Sequence, residues 1–537
     1  MTDQHQILRS TRLVTLVTLL SRVLGYVRDL LIAILLGTTL AADAFVIAFR
    51  IPNLLRRLMA EGAMTGAFIP VFTSWRIERP EAESWEFARR MFWALATVGL
   101  GVTLVGIIAA PWLVRAFTAF SPDPQQWSLA VLLTRITFPY CVLIALTALA
   151  GAILNSLRVF GLPASVPIYL NLAIIAGAVT AWRMELAEPA LALATGVVLG
   201  GVLQLAVQLP ALARRGMRFG VKVDFRHPGI RRVARLMLPA FAGVGIYQIN
   251  VLVSTMFASR SEGWISALYY ADRVMELALG VYAISVATVV LPVMAQQAAE
   301  KKLDDMRGTL GFALRNVGFI VVPAAVGLMV LRDPIVRVLF QHSAFEATSA
   351  ELTSWALLFY ALGLPAIAAV RLVVPAFYAV QDTVTPVRVA ALSLGVNIVF
   401  CFLLVGPLRQ GGLALATSLA AYVNLLVLYG LFRRRLGMVN EKRLAASLAR
   451  TMLAAGGMGL GCWWLANKVE LMEITAFSVL LGWFAATLVL GVLLYLGLAW
   501  LLRAEELGEF YTLVTGRRVR SGVPSVPAAV PSAPNQE

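Results

Sequence analysis

The charged side chains that could do chemistry in this chain are concentrated in one otherwise apolar stretch, residues 21–72. A single Arg, Lys or Asp at the centre of a membrane-spanning helix costs about 2.5–3.5 kcal/mol on insertion scales. A stretch with so many charges therefore needs a ligand or partners for them. The charged residues are Arg22, Arg28, Asp29, Asp43, Arg50, Arg56, Arg57 and Glu61.

In the first apolar segment, Arg22 and Asp29 are seven residues apart and fall on nearly one face of a helix. Arg28 lies next to Asp29, so two arginines share one aspartate and a positive charge is left over. The alternative interpretation is a structural trio in which Arg22 pairs with Asp29.

In the second segment, Asp43, Arg50 and Arg57 follow a spacing of seven, and Glu61 lies four residues beyond Arg57. An i, i+4 ion pair between Arg57 and Glu61 is the favoured interpretation there. Arg56 points elsewhere, and the sequence leaves open whether it anchors the helix at the cytoplasmic interface or closes a gate.

A second charged turn lies far along the chain, where Asp272, Arg273 and Glu276 fall within one helical turn and Ser266 lies on the same helix. An internal salt bridge is the alternative to ligand binding here. Arginine forks match phosphate oxygens bidentately and stay charged, so the excess of arginine predicts an anionic ligand, a phosphate or pyrophosphate. An exporter of cationic drugs would instead favour carboxylates and aromatic residues.

The composition predicts how these charges are carried. Of the 537 residues, 60% are hydrophobic and only 14% are charged, against roughly 25% charged residues in soluble domains. The mean hydropathy is +0.81, so we expect an all-α polytopic membrane protein. The net charge of +16 is explained by cytoplasmic loops, which collect Lys and Arg. Nucleic acid is not an expected partner, because no basic soluble domain is present.

The apolar runs predict fourteen transmembrane helices, each of about 20 residues or more. The second and eighth runs are longer than one bilayer thickness, so we expect them to be tilted, bent or projecting. The runs are 12–36, 41–73, 88–112, 128–155, 162–182, 189–212, 233–257, 266–297, 312–331, 351–379, 386–406, 411–432, 445–466 and 474–502.

Loop charges predict the orientation of these spans. With the N-terminus inside, thirty of the 45 Lys and Arg residues fall in cytoplasmic segments and six in the opposite loops. This asymmetry places both termini in the cytoplasm. The first apolar run, interrupted by Arg22, lacks the features of a cleavable signal.

Two pairs of landmarks indicate an internal repeat. Arg50 and Arg273 are 223 residues apart, and so are Pro163 and Pro386. An even number of helices per repeat keeps both halves in the same orientation, and such folds bind substrate between two lobes and work by alternating access. The predicted divisions are an N-lobe at 1–222, a C-lobe at 223–440, helices 13 and 14 at 441–503, and a largely disordered cytoplasmic tail at 504–537.

The cysteines and histidines predict no disulfide or metal site, because Cys141, Cys401 and Cys462 are far apart in apolar runs and the three histidines are scattered. The outer loops lack a set of acidic catalytic residues, so the chain is not expected to be an enzyme. This argues against a polyprenyl-phosphate glycosyltransferase. A scaffold of the division machinery would leave the arginines in the spans unexplained.

Several motifs resemble those of the MurJ/MviN family of bacterial lipid II flippases, in the multidrug/oligosaccharidyl-lipid/polysaccharide exporter superfamily. They are SRVLGYVRD, GTTLAADAF, FRIPNLLRRLMAEGAMTGAFIPVF and YYADRVME, and the resemblance runs to about residue 503. It implies a multi-pass protein of the bacterial inner membrane. Such a protein moves lipid II, the undecaprenyl-pyrophosphate-linked peptidoglycan precursor, to the periplasmic leaflet for cell wall biogenesis and cell shape.

The resemblance also assigns residues. Arg22, Arg28 and Arg273 match the family's cavity arginines, and Asp43 matches its acidic residue at the start of helix 2. We place Ser266 with these four as substrate-binding. Gate or structural ion pairs are assigned to Arg50, Arg56, Arg57, Glu61, Asp29, Asp272 and Glu276. Helices 13 and 14 match a pair that forms a groove for the lipid tail.

The resemblance implies no cofactor, and it leaves open coupling to the membrane potential or to a monovalent cation, because the sodium site of some members cannot be matched here. The expected partners are lipid II and membrane lipids, and a link to the cell-wall synthesis and division machinery stays open. The alternatives in transport are a flippase for another polyprenyl-linked oligosaccharide and a multidrug antiporter.

Overall fold

The computed structural model describes residues 3–60, 63–121, 123–280, 283–468 and 477–508. Side chains are described within these ranges except at 3–13, 55–60, 63, 65–66, 238–244, 246–247, 283–285 and 288. All the regular secondary structure in these ranges is α-helical, which confirms the predicted fold class.

The described helices follow one another with short connections, as expected for a bundle. They are α1 (Asp3–Leu36), α2 (Leu40–Ala60), α3 (Ala63–Glu78), α4 (Glu81–Phe117), α5 (Pro124–Thr137), α6 (Tyr140–Ser156), α7 (Gly161–Arg183), α8 (Pro189–Ala213), α9 (Pro228–Ala258), α10 (Trp264–Gly280), α11 (Ala283–Ala299), α12 (Leu303–Val330), α13 (Arg332–Phe340), α14 (Ala347–Ala379), α15 (Val384–Leu436), α16 (Glu441–Lys468) and α17 (Phe477–Leu501).

Eight helical segments of the described part are long and apolar enough to cross a membrane. The chain is thus a multi-pass membrane protein, and a total of fourteen crossings is compatible with the helices. The charge-bearing helices α1, α2 and α10 are not among the eight. The overlong run 41–73 covers α2 and α3, and the overlong run 266–297 covers α10 and α11; residues 61–62 and 281–282 lie outside the described residues. The sequence predicts a loop at 332–350, between the runs 312–331 and 351–379, but the structure forms the short helix α13 there.

Helix α15 contains the turn between two predicted spans. Arg409 has φ 53° and ψ −137°, which are not helical, and it lies between the runs 386–406 and 411–432. A Cβ on Gly412 would lie 2.1 Å from the carbonyl oxygen of Leu404. The chain therefore reverses so tightly at this point that only glycine fits.

Structural landmarks recur at the spacing of the proposed repeat. Two pairs of helices begin 223 residues apart, and two residues with left-handed backbone conformation have the same separation. The pairs are Pro124 and Ala347, which begin α5 and α14, Gly161 and Val384, which begin α7 and α15, and Arg158 (φ 60°) and Gln381 (φ 62°). These coincidences support the duplication, and the division into lobes at residues 222 and 440 stays a prediction.

We call α1 to α8 the first half and α9 to α15 the second half. The last two described helices, α16 and α17, attach to the second half through α12. Helix α16 packs against both α12 and α17. The hydroxyl of Tyr495 on α17 donates to the carbonyl oxygen of Phe319 at 2.6 Å. One turn earlier on α12, the buried Arg315 lies 3.2 Å from Glu505 and 3.8 Å from Glu506. The two helices α16 and α17 are therefore fixed to α12 at two places, by the hydrogen bond of Tyr495 and by the ion pairs of Arg315.

Glu505 gives this attachment a pH dependence. Arg443 on α16 donates from Nε and Nη2 to Glu505 at 2.9 and 2.6 Å, and these bonds lower the pKa of the Glu505 carboxyl from 4.5. A carboxyl with a lowered pKa stabilises the folded state above its unfolded pKa, and the effect is lost as the pH falls through the folded pKa. We expect the thermal stability to decrease as the pH drops below 4.5.

The variant Glu505→Gln should lose this part of the pH dependence in thermal unfolding of the detergent-solubilised protein. Glu346→Gln, just before α14, is the matched control and should keep it. Identical pH profiles for Glu505→Gln and the unmodified protein would contradict the role assigned to the carboxyl.

Candidate binding cavity between the two halves

At one end of the molecule, the beginnings of α2 and α10 are joined through the fully buried Asp43. Its Oδ1 accepts from the backbone N–H and the hydroxyl of Ser266 at 2.8 and 2.7 Å. Its Oδ2 accepts from the N–H of Gly263 at 2.8 Å and from Gln126 at 3.3 Å. A carboxylate at a helix N-terminus satisfies free N–H groups and complements the helix dipole. Asp43 thus ties the first half to the second.

Further bonds between the halves surround Asp43. The hydroxyls of Thr38 and Ser349 lie 2.8 Å apart, and the N–H of Ala344 donates to the carbonyl oxygen of Ile34 at 3.1 Å. Gly37 has φ 57°, and a Cβ there would lie 2.2 Å from the carbonyl oxygen of Ala344. We call residues 34–43, 259–270 and 344–349 the sealed end. The loop charges predict that it faces the periplasm.

A cavity of about 450 Å³ lies between the halves and reaches the sealed end at Tyr269, and a smaller one of about 80 Å³ adjoins it. The two share the side chains of Phe49, Asn53, Tyr269 and Arg273. The larger cavity extends from Arg28 and Arg273 into the first half, between α6, α7 and α8. Neither Asp43 nor Ser266 is among the residues that line the two cavities.

Arg28 lines the larger cavity and is held by two residues. Its Nε and Nη2 donate to Asp29 Oδ1 at 2.9 and 2.7 Å, and its Nη1 donates to Asn171 Oδ1 at 2.9 Å. The hydroxyl of Tyr269, from the second half, donates to the same oxygen of Asp29 at 3.0 Å. The Arg28–Asp29 pair of α1 is therefore linked to α10 in the second half through the hydroxyl of Tyr269.

Arg22 does not form the alternative pair with Asp29. Its Nη1 donates instead to the carbonyl oxygen of Gly280 on α10 at 3.0 Å. Arg22 thus closes α1 against α10, and it lies outside the lining of the two cavities.

Arg273 forms the internal salt bridge that the spacing allows. Its Nη1 lies 2.7 Å from Glu276 and its Nη2 lies 3.5 Å from Asp272. The guanidinium also lies 5.0 Å from the ring centre of Tyr269. Its Nε has no hydrogen-bond partner among the described residues, and its side chain is 27% exposed. An anion in the cavity can therefore reach this guanidinium beside its two carboxylates.

Arg50 and Arg273 line the same small cavity, as their equivalent positions in the repeat predict. Arg50 Nη1 donates to the hydroxyl of Thr255 on α9. Arg56, Arg57 and Glu61 lie outside the residues whose side chains the structure describes, so the Arg57–Glu61 pair stays a prediction.

The charges at the cavities are balanced among the described side chains. Three arginines line the cavities, and three carboxylates lie on the same helices, two of the arginines being paired with them. An anionic ligand would therefore replace carboxylates as the acceptor for guanidinium donors. The arginines are Arg28, Arg50 and Arg273, and the carboxylates are Asp29, Asp272 and Glu276.

The sequence reasoning missed the neutral polar side of the larger cavity. Asn171 on α7 and Gln204 and Gln208 on α8 line it, together with Tyr140 and Thr147 on α6. The available signal was the i, i+4 spacing of two glutamines in an otherwise apolar helix, which places both amides on one face.

Comparison with known proteins identifies the family. The family model described as "Lipid II flippase MurJ" matches residues 32–496. The chain belongs to this family. Among curated MurJ proteins, the probable lipid II flippase of Vibrio cholerae is 38% identical over 80% of this chain and 83% of its own length. The lipid II flippase of Burkholderia cenocepacia is 35% identical over 90% of this chain and 95% of its own length.

Solved structures agree with the MurJ assignment. A lipid II flippase MurJ in an inward closed conformation has a TM-score of 0.76 and 26% identity, over 94% of this chain and all of that chain. An inward-facing transporter of the MATE family has a TM-score of 0.64 at 15% identity, over 78% and 96% of the two chains. The second likeness shows only that the fold is shared. The family resemblance predicted from the sequence motifs is thereby confirmed.

Proposed function

We propose that this protein moves lipid II from the cytoplasmic to the periplasmic leaflet of the bacterial inner membrane by alternating access. Membership of the MurJ family and the names of its relatives support this function. The observation that carries it is a cavity in which guanidiniums from both halves, Arg28 and Arg273, line one wall. Arginine suits the diphosphate that joins the prenyl chain to the sugars.

The arrangement answers the physical problem of flipping a lipid. A charged headgroup cannot cross hydrocarbon unaided, whereas the prenyl tail can stay in the bilayer. The cavity supplies hydrogen-bond donors to the headgroup, and rocking of the halves would turn its opening from one leaflet to the other. Because Arg28 and Arg273 belong to different halves, such a motion changes the geometry of their contacts with the bound diphosphate.

Asp43 and Ser266 fit the role of a gate better than direct contact with substrate. Both are fully buried and bonded to each other at the sealed end, so the halves must separate there before the headgroup can leave. Arg22 fits a similar role between α1 and α10 through its bond to Gly280. The predicted division at residues 222 and 440, a lipid-tail groove formed by α16 and α17, and cytoplasmic termini complete the proposal.

The reset of the empty transporter would draw on the membrane potential, which acts on a charge with about 2.3 kcal/mol per 100 mV. Coupling to a monovalent cation is the alternative, and a cation-free buffer with the potential maintained would separate the two.

Reconstitution tests the function directly. We expect proteoliposomes that contain the protein to move fluorescent lipid II between leaflets, so that a membrane-impermeant quencher reaches labelled headgroups that protein-free vesicles protect. A diphosphate-linked oligosaccharide without a peptide serves as the competitor substrate. Equal rates with and without protein would overturn the proposal, and faster movement of the competitor would favour a different polyprenyl-linked substrate.

A further inference from the structure

The larger cavity has one charged end and one neutral end. Of the described residues that line it, only Arg28 and Arg273 carry charge, and the remainder are apolar, amide or hydroxyl residues. The neutral end extends between α6 and α8, past Gly151 and Gln208. A single ligand that fills the cavity must therefore combine an anionic group with a neutral portion.

The amides at the neutral end are held in fixed positions. Gln204 Nε2 donates to the carbonyl oxygen of Val166 at 3.1 Å, and Gln204 Oε1 accepts from the hydroxyl of Tyr140 at 3.3 Å. Gln208 Nε2 donates to the carbonyl oxygens of Thr147 and Gln204 at 3.2 and 3.3 Å. These bonds fix the rotamers of both glutamines, and none of them uses Oε1 of Gln208.

Two polar atoms at this end have no hydrogen-bond partner among the described residues. They are Gln208 Oε1 and Thr147 Oγ1, and their side chains are 0% and 3% exposed. Buried polar atoms are nearly always paired, so such exceptions indicate a missing ligand or water. The carbonyl oxygen of Gln208 can accept a hydrogen bond, and the hydroxyl of Thr147 can donate one or accept one.

We propose that Gln208 and Thr147 form a subsite for the N-acetylated sugar joined to the diphosphate, while Arg28 and Arg273 hold the diphosphate itself. This inference rests on the proposed function, and it assigns a part of the headgroup to a part of the cavity. An N-acetyl amide offers one N–H donor and one carbonyl acceptor. These match the free acceptor on Gln208 and the free hydroxyl on Thr147. The absence of charge at this end suits a neutral sugar and disfavours a second anionic group.

The test compares two lipids on the full-length protein in nanodiscs. One is undecaprenyl diphosphate, and the other is the same lipid carrying one N-acetylated hexosamine. Thr147→Val keeps the shape of the side chain and removes only the hydroxyl. We expect it to weaken binding of the sugar-bearing lipid by about fivefold, the effect of one neutral hydrogen bond, and to leave binding of the bare diphosphate lipid unchanged.

A matched control is available on α4. The hydroxyl of Thr103 is also buried and without a partner in the described part of the chain, and Thr103 does not line the cavity. Thr103→Val should bind both lipids like the unmodified protein. Because Gln208→Leu also removes bonds between helices, a change in the ligand gives a second test. A lipid with a plain hexose in place of the N-acetylated one should bind the unmodified protein more than about fivefold more weakly, because it loses the bonds of the acetamido group to both Gln208 and Thr147.

The outcomes are separable. If Thr147→Val weakens both lipids equally, or if the acetyl group makes no difference to the unmodified protein, the subsite is wrong and the flippase function stands. If the unmodified protein binds neither lipid, the proposed function fails, and the subsite fails with it.

Discussion

Replacing Arg28 or Arg273 with alanine is expected to abolish transport while the protein still reaches the membrane. The two guanidiniums come from α1 and α10 and line one cavity, and each is expected to bind phosphate oxygens bidentately. Hydrogen bonds to charged groups contribute about 1.5–3 kcal/mol each, so losing one fork should reduce transport by about 100-fold or more. The measurement is complementation of a depleted strain, with the lipid II of the outer leaflet assayed in parallel.

Two further variants make this experiment specific. Arg273→Lys keeps the charge and loses the fork, so partial activity is expected from it. Arg115→Ala removes an exposed arginine at the end of α4 and should support normal growth. Growth and outer-leaflet lipid II at normal levels in the Arg28 and Arg273 alanine variants would show that the cavity arginines do not carry the substrate.

Asp43→Asn is expected to open the sealed end. The carboxylate accepts four hydrogen bonds from the second half and from α5. An asparagine in its place would have an NH₂ group facing some of these N–H and O–H donors, so those hydrogen bonds would be lost. Each lost bond to the charge removes about 1.5–3 kcal/mol, so the population with separated halves should rise at least tenfold. Transport should fall as well, because a transporter that cannot close one side cannot alternate.

Cysteine accessibility measures this opening. Ser349 is buried at the sealed end beside Thr38, and the three native cysteines are buried, so Ser349→Cys supplies one reporter. A membrane-impermeant maleimide should label it at least tenfold faster in the Asp43→Asn background. Asp123→Asn is the matched control, because Asp123 caps α5 through Gln125 within the first half. Equal labelling in both backgrounds would mean that Asp43 does not hold the seal.

The sequence was sufficient for those features that depend on local pattern. Hydropathy located the helices, and a spacing of 223 residues predicted that Arg50 and Arg273 belong to equivalent positions, which the structure places at one cavity. Helical spacing also predicted, as the alternative to ligand binding, the ion pairs that Arg273 forms with Asp272 and Glu276. These features are local, or they follow from a symmetry that is visible in the chain.

Contacts that depend on tertiary approach were not predictable. Neighbouring residues on a helix do not face each other, so helical spacing alone does not give the geometry of the Arg28–Asp29 pair. It forms because Asn171 and Tyr269 fix the two groups from other helices. Arg22 donates to the backbone carbonyl of Gly280, and any residue type supplies such a carbonyl, so the sequence does not indicate this bond. Similarly, amides in a span usually make contacts between helices, so the i, i+4 pair of Gln204 and Gln208 does not by itself indicate a cavity.

The bond between Asp43 and Ser266 has an evolutionary consequence, because these residues are also 223 positions apart. Equivalent positions of the two halves meet there, and one carries an acid where the other carries a hydroxyl. In a homodimer of either half, a two-fold axis would bring two aspartates or two serines together. Two aspartates would repel each other, and two serines would lack the charge that caps α10. The Asp43–Ser266 bond is therefore available only to two halves whose sequences have diverged, as they have in this single chain.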